Sequence, residues 1–146
     1  MDTNPLRQAY NALLAADPRA VPPPGEWNTE QILAHVSLVS AATIGTVAAV
    51  ASGAISTYDN RASQDRWTLD RVIALAGGEA ALRERIRAQA EALCALAAVL
   101  SEAELTTKVP TLLLSNGTSL VDQPLSLRDI LAGLVDVELP GHTKQL

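Results

Sequence analysis

Between Glu30 and Asp59 the chain carries no Asp, Glu, Lys or Arg. A stretch this long must be covered, either by lipid or by protein, and it is long enough to span a bilayer. Its content argues for a protein core. It holds His35, several Ser and Thr, and Gly45 and Gly53, and its flanks are acidic rather than basic anchors. Ile32, Val36, Val39, Thr43, Val47 and Val50 recur on one helical face. Asn28 with Gln31 three residues on reads as a capping box. These signals predict a buried helix opening at Asn28 and ending near Gly53, about 24 residues and roughly 36 Å long. His35, Val39, Ala42 and Thr46 share a strip beside the most apolar line, so small neighbours leave room next to the imidazole.

The rest of the chain is punctuated in the same way. Asn4-Pro5 predicts the start of a first helix that runs to about Asp17, where Pro18 discourages continuation. Val21-Pro-Pro-Pro-Gly25 predicts a stiff connection, and Ser56 to Arg66 a polar loop. Thr68 to Ala76 reads as a short helix ended by Gly77-Gly78. Glu79 to about Leu100 reads as a long helix with Leu82, Ile86, Leu93, Leu96 and Leu100 on one face. Ser101 and Glu104 form a second capping-box signature. Leu112–Leu114 and Ser119–Val121 flank Asn116-Gly117, a two-residue turn signal, and predict a short β-hairpin near residues 112–121. Two short strands cannot form a sheet core, so the hairpin is expected only to decorate a connection. Ser126 with Asp129 caps a last helix from Leu127 onward. The expected fold is one domain over residues 1–146, an all-α four-helix bundle.

Composition narrows what such a bundle does. The formal charge is −5 with no basic run, so phosphate neutralisation and hence nucleic-acid binding are not expected. Phe is absent and aromatics make up 3%, so the core must come from Ala, Leu, Val and Ile, which suits closely packed helices. Cys94 is the single cysteine, which excludes an intrachain disulfide and fits a reducing cytoplasm. The N-terminal residues lack the order of a secretory signal. The expected location is cytoplasmic, with no membrane partner.

Two histidines are present, His35 and His142. Glu138 precedes His142 by four residues, which places both on one helical face. His35, from another helix, can complete a His2Glu set. Such a set binds zinc and leaves a fourth position for water or substrate, the arrangement of catalytic sites. Nickel, iron or manganese are also accepted by these ligands. Asp136 is a competing carboxylate on another face. Pro140-Gly141 lies inside the pair and predicts a kink. Cys94 reads as a small residue at the edge of a helix interface, with Arg83 and Arg87 as its basic neighbours. Trp27 reads as a hydrophobic staple or a pocket wall.

Gly25-Glu-Trp27-Asn-Thr29 followed by Ile32-Leu-Ala-His35-Val36 resembles the start of the metal-bearing helix of the DinB-like superfamily. Glu138-Leu-Pro-Gly-His142-Thr-Lys-Gln-Leu146 resembles its second ligand pair. The Glu-x-x-x-His form is similar to the metal-binding domain of mycothiol-dependent maleylpyruvate isomerases. The resemblance implies an up-down-down-up bundle with a divalent ion, zinc above all, held by His35, Glu138 and His142. It also implies a low-molecular-weight thiol such as mycothiol, a small-molecule substrate and a homodimer. The isomerases carry a further C-terminal domain with no counterpart in this sequence, so isomerisation of maleylpyruvate itself is not expected. The functional expectation is a metal-dependent thiol transferase or isomerase that activates a thiol or water. The rival is a non-catalytic helical module for dimerisation or protein binding, with a vestigial metal site.

Overall fold

The structure is a computed structural model describing residues 1–19 and 21–146. Helix α1 (Asn4–Ala15) begins with Pro5 in its first turn, where a missing N–H is harmless, and buries Leu6, Tyr10 and Leu13. Helix α2 (Thr29–Ala51) is closed by the reciprocal bonds of Asn28 and Gln31. It is long and apolar enough to cross a membrane, with mean hydropathy 1.8, yet 61% of that window is buried within the fold. The core therefore accounts for its composition. Two buried hydroxyls on this helix have partners: Ser40 Oγ lies 2.7 Å from the Tyr10 hydroxyl, and Thr43 Oγ1 lies 2.9 Å from that of Tyr58. Satisfied in this way, buried hydroxyls carry little desolvation penalty.

Strand β1 (Tyr58–Asp59) and a 3-10 turn at Ala62–Gln64 precede α3 (Arg66–Ala76), whose first turn is capped by the Asp65 carboxylate. Gly77 ends α3 with φ of 96°, a left-handed conformation that favours glycine. Helix α4 (Glu79–Ala98) packs along α2 and α1 and buries Leu82, Ile86, Ala90, Leu93 and Ala97. A single turn, α5 (Glu102–Leu105), is held by the Ser101–Glu104 capping box. Strands β2 (Lys108–Val109), β3 (Thr111–Ser115), β4 (Thr118–Asp122) and β5 (Leu125–Ser126) follow. The last helical run comprises α6 (Leu127–Gly133), a π-helical turn (Leu134–Glu138) and α7 (Leu139–Gln145).

An all-α four-helix bundle is not what forms. The hairpin β3–β4, turning at Asn116-Gly117, pairs in parallel with β1 to make a three-stranded mixed sheet, and β2 pairs with β5 in a separate antiparallel ladder. The hairpin expected near residues 112–121 is thus part of a sheet and does more than decorate a connection. Its missing strand lay in the stretch expected to be loop. Parallel pairing between Tyr58 and Thr111 crosses more than fifty residues, and two residues carry no alternation to reveal it. The sheet is fastened through Asn60, whose carboxamide donates to the Leu114 carbonyl at 3.0 Å and accepts from the Leu114 N–H at 2.8 Å. Gln64 Nε2 donates to the same carbonyl.

Candidate metal centre

His35 lies in the second turn of α2 and is 3% exposed. The Trp27 ring stands 5.1 Å from its imidazole at 48°. Its Nδ1 is 2.6 Å from the carbonyl oxygen of Ser63. A carbonyl can only accept, so Nδ1 carries the proton and Nε2 is left to face inward. That nitrogen is 3.5 Å from Glu138 Oε2.

Glu138 and His142 arrive together on the last helical run. Pro140 has no N–H to offer the carbonyl four residues back, at Asp136. A π turn offers a carbonyl the N–H five residues on, and the Leu139 N–H indeed donates to the Leu134 carbonyl. The expected kink is absorbed by this wider turn, which lets both Glu138 and the core residue Leu139 reach inward. His142 Nε2 then lies 3.1 Å from Glu138 Oε2, while its Nδ1 lies 2.7 Å from the carboxamide oxygen of Gln145. The two imidazoles meet edge to face, with ring centres 4.5 Å apart. One donor atom each from His35, Glu138 and His142 falls within 4.8 Å of the other two.

Both Nδ1 protons are committed outward, so the charge at the centre is decided at Nε2. Neutral imidazoles would aim two nitrogen lone pairs at a carboxylate oxygen, three acceptors converging with no donor. Protons on the nitrogens or a cation between them would relieve that conflict. Protons on Nε2 can serve, and the carboxyl of Glu138 is accordingly held well below its ordinary range, chiefly by the bond from His142 and then that from His35. Burial alone would lower the pKa of His142, but its bonds to Glu138 and Gln145 outweigh this and raise it. The donor set of two imidazole nitrogens and a carboxylate also suits a divalent ion. Tetrahedral zinc with bonds of about 2.0–2.1 Å holds its ligand atoms about 3.4 Å apart. The two separations from Glu138, 3.1 and 3.5 Å, bracket that value. Acceptors on the outer N–H of both histidines, the Ser63 carbonyl and the Gln145 carboxamide, hold the rings in the orientation such ligands need.

No protein-family model, curated protein or solved structure matches the chain. The three residues singled out from sequence, His35, Glu138 and His142, are brought together. Asp136 is exposed and outside the cluster. Cys94 is buried on α4, with burial pushing its thiol pKa up; the neighbouring charges that act on it belong to Arg7 and Glu91, not to Arg83 and Arg87. Trp27 packs on His35 and lines a cleft of about 190 Å³ together with Arg19, Glu30 and Gln145.

Sequence reasoning did not find Ser63 or Gln145 as partners of the histidines. Gln145 stood three residues after His142 on one helical face, which is a readable signal. Ser63 contributes a backbone carbonyl, for which residue type says nothing.

Proposed function

We propose that the chain binds one divalent metal ion through His35, Glu138 and His142 and acts as a metal-dependent thiol transferase or isomerase of the DinB-like kind. The observation that carries this reading is the pair of Nε2 atoms converging on one carboxylate oxygen while both Nδ1 protons are held from outside. The DinB-like motifs support it, since the residues that compose them include all three cluster members together with Trp27 and Gln145. When bound, the ion would supply the Lewis acidity that lowers the pKa of a thiol or water at an open coordination position. His35 and His142 hold their Nδ1 protons on Ser63 and Gln145, so neither ring can turn its protonated nitrogen inward. Trp27 packs against His35 with its ring tilted at 48°. Glu138 supplies the one negative charge of the set, leaving a net positive centre that favours an anionic partner such as a thiolate.

Elemental mass spectrometry on untagged protein tests the first step. About one zinc or similar ion per chain, lost in His35→Ala, is expected. Protein that is metal-free and ignores added zinc would overturn the proposal. A panel of low-molecular-weight thiols, mycothiol included, with electrophilic substrates tests the second step. Turnover that requires both thiol and metal is expected; metal-loaded protein inert toward every pair would leave the non-catalytic module as the better account.

A further inference from the structure

The cleft beside the centre has a composition of its own. Arg19 and Glu30, of opposite charge, both line it, and they are not paired with each other. Arg19 Nη2 donates to the Lys144 carbonyl at 3.1 Å, and its only carboxylate neighbour among the described residues, Glu26, is 3.9 Å away, the outer edge of an ion pair. A guanidinium has five N–H donors, so most of its capacity is unspent. Glu30 is half-buried and has no ion-pair or hydrogen-bond partner among the described residues. The Trp27 indole lies on the same cleft as an apolar wall. A volume of about 190 Å³ falls below the roughly 300–1,000 Å³ of pockets for drug-sized ligands and suits a molecule of amino-acid size.

We propose that this cleft binds a small zwitterion, an α-amino acid or the amino-acid end of a larger compound, with its carboxylate on Arg19 and its ammonium on Glu30. A guanidinium recognises a carboxylate through a fork of donors, and a carboxylate accepts from an ammonium through charge-assisted bonds. A simple anion such as phosphate satisfies Arg19 but is repelled by Glu30, and a simple cation meets the reverse conflict. Only a ligand bearing both charges satisfies both walls. Gln145 belongs to this cleft and also holds the Nδ1 proton of His142, so the subsite adjoins the metal centre without requiring a metal to form.

Trp27 reports directly on occupancy. Trp67 is 69% exposed, so Trp67→Phe leaves Trp27 as the sole indole with little structural cost. In that background L-leucine, N-acetyl-L-leucine and L-leucinamide are titrated while Trp27 fluorescence is followed, once with EDTA and once with zinc. L-Leucine is expected to give a saturable change in both conditions and to bind more tightly than either blocked analogue. Arg19→Gln and Glu30→Gln should each weaken L-leucine by at least about tenfold, the scale of one lost charge-assisted contact. Glu30→Gln should instead tighten N-acetyl-L-leucine, an anion with no ammonium, because the carboxylate that repels it is gone. No response to L-leucine up to about 50 mM would overturn the proposal, as would equal binding of all three compounds or an unchanged affinity in Arg19→Gln. The EDTA titration contains no metal, so a protein that fails to bind zinc leaves the test of the cleft intact.

Discussion

Replacing Glu138 by Gln separates a cluster held by protons from one held by metal, because the first loss depends on pH and the second appears only when zinc is added. In EDTA, the carboxyl of Glu138 is held below its ordinary 4.5, so its pairing stabilises the fold above that pH and is lost as pH falls. The imidazole of His142 is held above its ordinary 6.5, so its share is full below that pH and fades as pH rises. The metal-free pairing is therefore greatest between these values. At pH 6, Glu138→Gln should cost about 1–2 kcal/mol: charge-assisted bonds contribute about 1.5–3 kcal/mol, reduced here by solvent screening. The screening follows from a Glu138 side chain that is 37% exposed. At pH 8 the share of His142 has faded, and a Gln side-chain N–H can donate to an Nε2, so the cost should be smaller than at pH 6.

Zinc adds a loss of its own. At a free concentration near 100 times its Kd, zinc adds about 2.7 kcal/mol to the wild-type chain. Loss of a ligand should weaken binding by at least about 100-fold, since outer-shell changes alone cost 10–100-fold. The variant then gains only about 0.4 kcal/mol at the same zinc concentration. The gap of about 2.3 kcal/mol corresponds to about 5–9 °C in Tm for a chain of this length. Thermal unfolding followed by circular dichroism at pH 6 and pH 8, with EDTA or zinc, reads all four quantities. Equal zinc shifts in wild type and variant, or the same loss in EDTA at both pH values, would refute the reasoning.

Further perturbations probe the supports. His142→Ala should abolish stoichiometric zinc binding in calorimetry while keeping the helical circular dichroism spectrum. Asn60→Ala removes both bonds to the Leu114 backbone and should destabilise the fold by about 2–3 kcal/mol in urea unfolding, while weakening zinc binding about tenfold through Ser63. Leu93→Ala, in the fully buried face of α4, should cost about 2–5 kcal/mol in the same unfolding assay and leave zinc affinity unchanged.

The helices were legible because their signals are local. Asn28 with Gln31, Ser101 with Glu104 and Ser126 with Asp129 each mark a helix start within four residues, and all three caps are present. The hairpin at Asn116-Gly117 was legible for the same reason. The pair Glu138 and His142 was readable from spacing, although spacing could not show that Pro140 would widen the preceding turn and leave the pair intact. The arrangements that escaped join distant parts of the chain. Strand β1 pairs with β3, and Asn60 reaches Leu114, with no periodicity to announce either.

That omission bears on the site itself. His35 is oriented by the carbonyl of Ser63, and Ser63 Oγ is in turn bonded to the Asn60 carbonyl at 2.7 Å. Asn60 is clamped to β3 through Leu114, and its own N–H donates to Leu112. Helix α2 fixes where the imidazole stands, but the sheet fixes which nitrogen carries the proton. The β elements that distinguish this fold from a plain bundle are thus part of what orients His35 toward Glu138, and the Asn60→Ala experiment measures their share.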